Sequence, residues 1–124
     1  MMLEPSSVVL YVENIAQASQ FYQDLLEIKP EEASQTFHTF TLSNGMSFGL
    51  KANHAVEPPI DNKNGGGELA FTLDNNKKVD ALFAEWQEKG INMALPPTVV
   101  LYGYTFVALD PDGHRLRVVS LSNS

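Results

Sequence analysis

Both arginines of this chain, Arg115 and Arg117, sit two residues apart, directly after the turn Asp110-Pro111-Asp112-Gly113. A guanidinium is permanently charged and presents a planar fork of N–H donors, so it suits a carboxylate, another anion or an aromatic face. In the turn, proline fixes one φ, the carboxylates can accept nearby backbone N–H groups, and glycine supplies a positive φ. Beyond it side chains alternate along a strand, so Leu116 and Val118 cover a core while Arg115 and Arg117 look the other way.

The same alternation sorts the rest of the chain. Val8, Leu10, Val12, His38, Phe40, Phe48 and Leu50 read as one helix-packed face, and Leu69, Phe71, Thr105, Val107, Leu116 and Val118 as another. The complementary faces carry the candidate ligand-binding residues Ser7, Phe37, Gly49, Glu68, Tyr104, Phe106 and Arg117. Phe37, Tyr104 and Phe106 would supply stacking surface. Glu68 and Arg117 would pair with each other or orient a ligand carboxylate. Phe83 and Trp86 fall on the apolar stripe of a helix and read as core. His38 and His114 read as hydrogen-bonded structural residues, and His54 lies in a loop.

The elements that must position these residues follow from periodicity. Ser7 to Val12 predicts a strand. Asn14 caps a helix whose apolar face is Ile15, Ala18, Phe21, Tyr22, Leu25 and Ile28, with Pro30 as its stop. Glu31 to Gln35 predicts a short strand, Phe37 to Leu42 and Met46 to Lys51 a hairpin about Ser43-Asn44-Gly45. Ala52 to Gly67, with adjacent prolines and a triple glycine, reads as a mobile connection that buries little. Glu68 to Leu73 is then a strand, Asn75 or Asn76 caps a helix bearing Val79, Leu82, Phe83 and Trp86, and Gly90 ends it. Thr98 to Leu101, Tyr104 to Leu109 and His114 to Leu121 complete the chain, the first an edge strand or one that begins late because Pro96 and Pro97 precede it.

With 124 residues, 44% of them hydrophobic, the chain suffices for one domain. No apolar run reaches the roughly 20 residues of a membrane span, and the N-terminus lacks signal-peptide regions; a cytoplasmic protein without membrane contact is expected. The formal charge of −7 disfavours a nucleic-acid partner. Zero cysteines exclude thiolate metal sites and cysteine nucleophiles.

Strand, helix and three strands occur twice, and Val12-Glu13-Asn14 matches Leu73-Asp74-Asn75 in register. The expected fold is α+β: two tandem βαβββ modules, about 6–52 and 67–121 with a linker at 53–66, forming a curved mixed sheet around a cleft with helices outside.

On Val9-Leu10-Tyr11-Val12, Phe21-Tyr22, Leu69-Ala70-Phe71 and Asp110-Pro111-Asp112-Gly113, together with the repeat, the chain resembles the vicinal-oxygen-chelate superfamily of glyoxalases, dioxygenases and bleomycin-resistance proteins. The resemblance implies metal ligands at the first residue of each module's opening strand and four residues after each closing-hairpin glycine. Those positions hold Ser7, Gly49, Glu68 and Arg117, not the imidazole or carboxylate set a divalent ion requires, so neither metal nor cofactor is expected. Phe83-Ala84-Glu85-Trp86 and Gly103-Tyr104-Thr105-Phe106 are most similar to the phenazine-resistance type, which implies a homodimer that binds and sequesters a small planar aromatic compound, such as an antibiotic, without catalysis. The alternative is a metal-dependent lyase or dioxygenase with a displaced metal site.

Overall fold

The computed structural model describes residues 3–60 and 68–121. The chain divides into two compact units, Met1–Gly65 and Gly66–Ser124. Among the described residues each unit has one helix and four strands in the order βαβββ, an α+β fold with two mixed four-stranded sheets.

In the first unit, β1 (Ser7–Val12), α1 (Ile15–Leu26), β2 (Glu32–Ala33), β3 (Phe37–Thr41) and β4 (Ser47–Ala52) give the sheet order β1-β4-β3-β2. Only β1 and β4 run parallel; the other pairs are antiparallel. Asn14 caps α1 by accepting the Gln17 N–H at 3.0 Å, which satisfies one of the free donors of the first turn. The helix stops at Leu26, earlier than Pro30 would demand, because Glu27 enters the left-handed region at φ 56°. Its buried residues include Ala18 and Tyr22, and the Tyr22 ring meets Phe48 of β4 edge-on at 4.8 Å. Beside them Ser19 Oγ lies 2.7 Å from His38 Nδ1, the structural role expected of that histidine.

Gly45, at φ 93°, closes the β3–β4 hairpin, where a side chain would be strained. After β4 a single 3-10 turn covers Asn53–Ala55, and Val56 is 6% exposed. Within the expected connection 52–67, Ala52 ends a strand and Val56 is buried in the core, while residues 61–67 lie outside the described residues. The triple glycine Gly65-Gly66-Gly67 lies outside the described residues.

In the second unit, β5 (Glu68–Thr72), α2 (Asn76–Glu88), β6 (Met93–Val100), β7 (Gly103–Leu109) and β8 (Arg115–Ser120) repeat the plan in the order β5-β8-β7-β6. Asn75 caps α2. Trp86 of α2 meets Phe71 edge-on at 6.0 Å and Phe106 at 5.5 Å. Strand β6 begins five residues before the expected Thr98 and includes both prolines. It is an edge strand with register shifts between Met93 and Leu95 and between Leu95 and Thr98, where a missing N–H is tolerated. Among the described residues no helix is long and apolar enough to cross a membrane.

The turn between β7 and β8 is locked by one carboxylate. Asp110 Oδ1 accepts the backbone N–H groups of Asp112 and His114 at 2.9 and 2.8 Å, and Oδ2 lies 2.8 Å from His114 Nδ1. Both Asp110 and His114 are buried, so this satisfies polar groups that would otherwise be costly to remove from water.

Candidate functional site

Strand β8 runs between β5 and β7, and its register sets what surrounds Arg117. Arg117 lies opposite Ala70 of β5 and Val107 of β7, on the face away from Leu116 and Val118, which are buried. Its Nε donates to Glu68 Oε2 at 2.7 Å and its Nη1 to Thr105 Oγ1 at 3.2 Å. Thr105 Oγ1 in turn donates to the Val118 carbonyl at 2.8 Å. The Arg117 side chain is 18% exposed and that of Glu68 35% exposed. A guanidinium has five N–H donors, and these two bonds leave others for an outside acceptor.

Above this fork sits a ring that the sequence did not suggest. Arg117 Cζ lies 6.0 Å from the centre of Tyr102, a cation–π distance. Tyr102 belongs to the β6–β7 turn and is 51% exposed. The turn can take this position because the next residue is Gly103: a Cβ there would stand 2.1 Å from the Ser120 carbonyl oxygen of β8. Nothing in the alternation of strands could have found Tyr102; the signal is the Tyr-Gly pair at a hairpin end.

The first unit repeats the theme. Gly49 lies opposite Val9 of β1 and Thr39 of β3. A Cβ at Gly49 would stand 3.1 Å from the Phe37 ring, so that ring rests on bare backbone. Lys51 Nζ lies 5.9 Å from the same ring. Ser7 is exposed at the start of β1, opposite Ser47.

Two expected site residues are elsewhere. Phe106 is fully buried and meets Phe83 and Trp86 of α2 edge-on at 5.3 and 5.5 Å. Tyr104 points to the same side and donates its hydroxyl proton to Asp80 Oδ1 of α2 at 2.6 Å, a bond that raises its pKa above the ordinary phenol value. Both belong to the helix-packed face, and Thr105 and Val107 share the face of Arg117. The assignment of β7 is thus inverted. Gly103–Leu109 carries apolar residues on both parities, and the larger aromatic pair takes the position under the helix because it buries more surface.

A divalent ion does not fit the four positions that the resemblance pointed to. Ser7 offers a neutral hydroxyl, Gly49 no side chain, and the Glu68 carboxylate is already bonded to Arg117, whose charge opposes a cation. Elsewhere among the described residues, Asp110, Asp112 and His114 bring potential ligand atoms within 4.8 Å. Both Asp110 oxygens are engaged in holding the turn.

Comparison with known proteins shows the family and the fold. Residues 5–118 match the model of the glyoxalase/bleomycin resistance protein/dioxygenase superfamily. The chain is 26% identical to the phenazine antibiotic resistance protein EhpR of Enterobacter agglomerans, over 96% of this chain and 93% of that protein. A solution NMR structure of an Agrobacterium tumefaciens protein superposes with a TM-score of 0.89 at 46% identity, covering 98% of this chain and 99% of the other. The crystal structure of a glyoxalase-related enzyme from Fulvimarina pelagi shares the fold, with a TM-score of 0.83 at 15% identity over 96% of this chain and 88% of the other.

Proposed function

The chain belongs to the glyoxalase/bleomycin resistance/dioxygenase superfamily, and on that premise we propose that it binds and sequesters a small planar aromatic compound bearing an acidic group, an antibiotic of the phenazine kind, without transforming it. The observation that carries this reading is Arg117, held by Glu68 and Thr105 with Tyr102 against it, at the position where the metal-dependent pattern calls for a ligand. A guanidinium beside an aromatic ring receives a flat ring by stacking and an acidic substituent by charge-assisted hydrogen bonds. The likeness to a phenazine resistance protein supports the ligand class.

Magnitudes show why the arginine matters. Burying roughly 300 Å² of flat ring at about 25 cal/mol/Å² is worth about 7 kcal/mol. Association costs about 4–15 kcal/mol, so a charged hydrogen bond of about 1.5–3 kcal/mol decides whether binding is measurable. The chain acts in the cytoplasm and as a homodimer in this reading; the exposed apolar side chains Val99, Leu101 and Leu121 favour contact with a second copy.

The test is incubation of the protein with a phenazine carboxylate, followed by chromatography of the released compound. Retention in a stoichiometric complex and recovery unchanged are expected. Conversion to a product would overturn sequestration, and absence of a complex would overturn the ligand class.

A further inference from the structure

We propose that Arg115 is a second anion-binding residue beside Arg117 and that the compound bound there is a planar aromatic diacid, with one acidic group for each guanidinium. The inference rests on the ring-binding function proposed above and narrows its ligand class. The two residues are the only arginines of the chain, and they stand two positions apart on β8. Side chains alternate along a strand, so both point to one face, with Cα atoms about 6.4–6.8 Å apart. Leu116 between them is fully buried and marks the opposite face.

The two guanidiniums differ in what already holds them. Arg117 is partly buried and bonds to Glu68 and Thr105. Arg115 is exposed and lies opposite Glu68 of β5 and Leu109 of β7 in the sheet register. Glu68 nevertheless gives its carboxylate to Arg117, and Arg115 has neither a hydrogen-bond nor an ion-pair partner among the described residues. A guanidinium cannot shed its charge by losing a proton, so an acid from outside is what neutralises it. The neighbours of the two arginines on the same face are apolar: Leu109 beside Arg115, and Ala70 and Val107 beside Arg117. A flat ring can lie there, with one acidic group on Arg117 and a second one strand step away on Arg115. The chain's charge of −7 repels anions in general, so a doubly charged compound is admitted by this local pair of arginines or not at all.

The experiment is a pair of absorbance titrations of the full-length protein, one with phenazine-1-carboxylate and one with phenazine-1,6-dicarboxylate, repeated in Arg115→Gln. The parent should bind the diacid about fivefold or more tightly than the monoacid, and this preference should shrink as ionic strength rises. In Arg115→Gln, an exposed substitution that keeps the length and polarity of the side chain, the ratio of the two dissociation constants should fall to about one. Equal affinity for the two acids in the parent, a preference that survives in Arg115→Gln, or one that salt leaves unchanged would overturn the role of Arg115, while binding of the monoacid would leave the ring-binding function standing. Failure of both compounds to bind would overturn the two together.

Discussion

Arg117 and Glu68 join the closing strand of the second unit to the first residue of its opening strand, through a single N–H donated over 2.7 Å. The pair is partly exposed, so its net contribution to stability is about 0–1 kcal/mol; its main effect is to hold the guanidinium beside Tyr102. Replacing Glu68 by glutamine keeps an acceptor for Arg117 and removes a negative charge. Glu68→Gln should therefore bind an acidic ligand at least as tightly as the parent, while Glu68→Ala, which frees the fork, should bind about threefold to tenfold more weakly. Calorimetric titration of both variants separates the two effects. Equal weakening in both would show that the Glu68 charge, not its positioning of Arg117, governs binding.

Phe106 is a residue of the core rather than of the site. Truncation to alanine removes the ring that fills the space between Phe83 and Trp86. Urea unfolding of Phe106→Ala should show a loss of about 3–5 kcal/mol. A loss below about 1 kcal/mol would return this side chain to a surface role.

The turn that leads into β8 is sensitive to pH. The hydrogen bond to Asp110 raises the pKa of His114 above its ordinary 6.5; burial works against this, and the charges of Asp110 and Asp112 add to it. A raised pKa in the folded state means a contribution fully present below the unfolded value and lost as pH rises through the folded one. The melting temperature should fall as pH rises above about 6.5, and His114→Gln should flatten that slope. Differential scanning calorimetry across that range is the check. An identical slope in the variant would remove His114 as its cause.

Much of this arrangement is legible in the residues. Asn14 and Asn75 cap their helices as their spacing suggests, and Gly45 and Gly113 adopt the positive φ their turns demand. Glu68 and Arg117 share a face, as alternation suggested, and the parallel register of β5 and β8 brings them together. Strand β7 misleads because Tyr104-Thr105-Phe106-Val107 is apolar on both parities, so alternation alone cannot say which side meets α2. Tyr102 escapes notice for a different reason. It stands in a turn, and its place beside Arg117 depends on how closely Gly103 lets that turn approach Ser120, a three-dimensional fact with no periodic trace.

The central claim is that Arg117 anchors an acidic planar ligand. Absorbance titration of a phenazine carboxylate into the parent protein and into Arg117→Ala tests it most directly. The parent should saturate at one site with a dissociation constant on the order of micromolar, and the variant, folded to the same degree by circular dichroism, should bind about tenfold or more weakly. Unchanged affinity in Arg117→Ala, or failure of the parent to bind, would contradict the account.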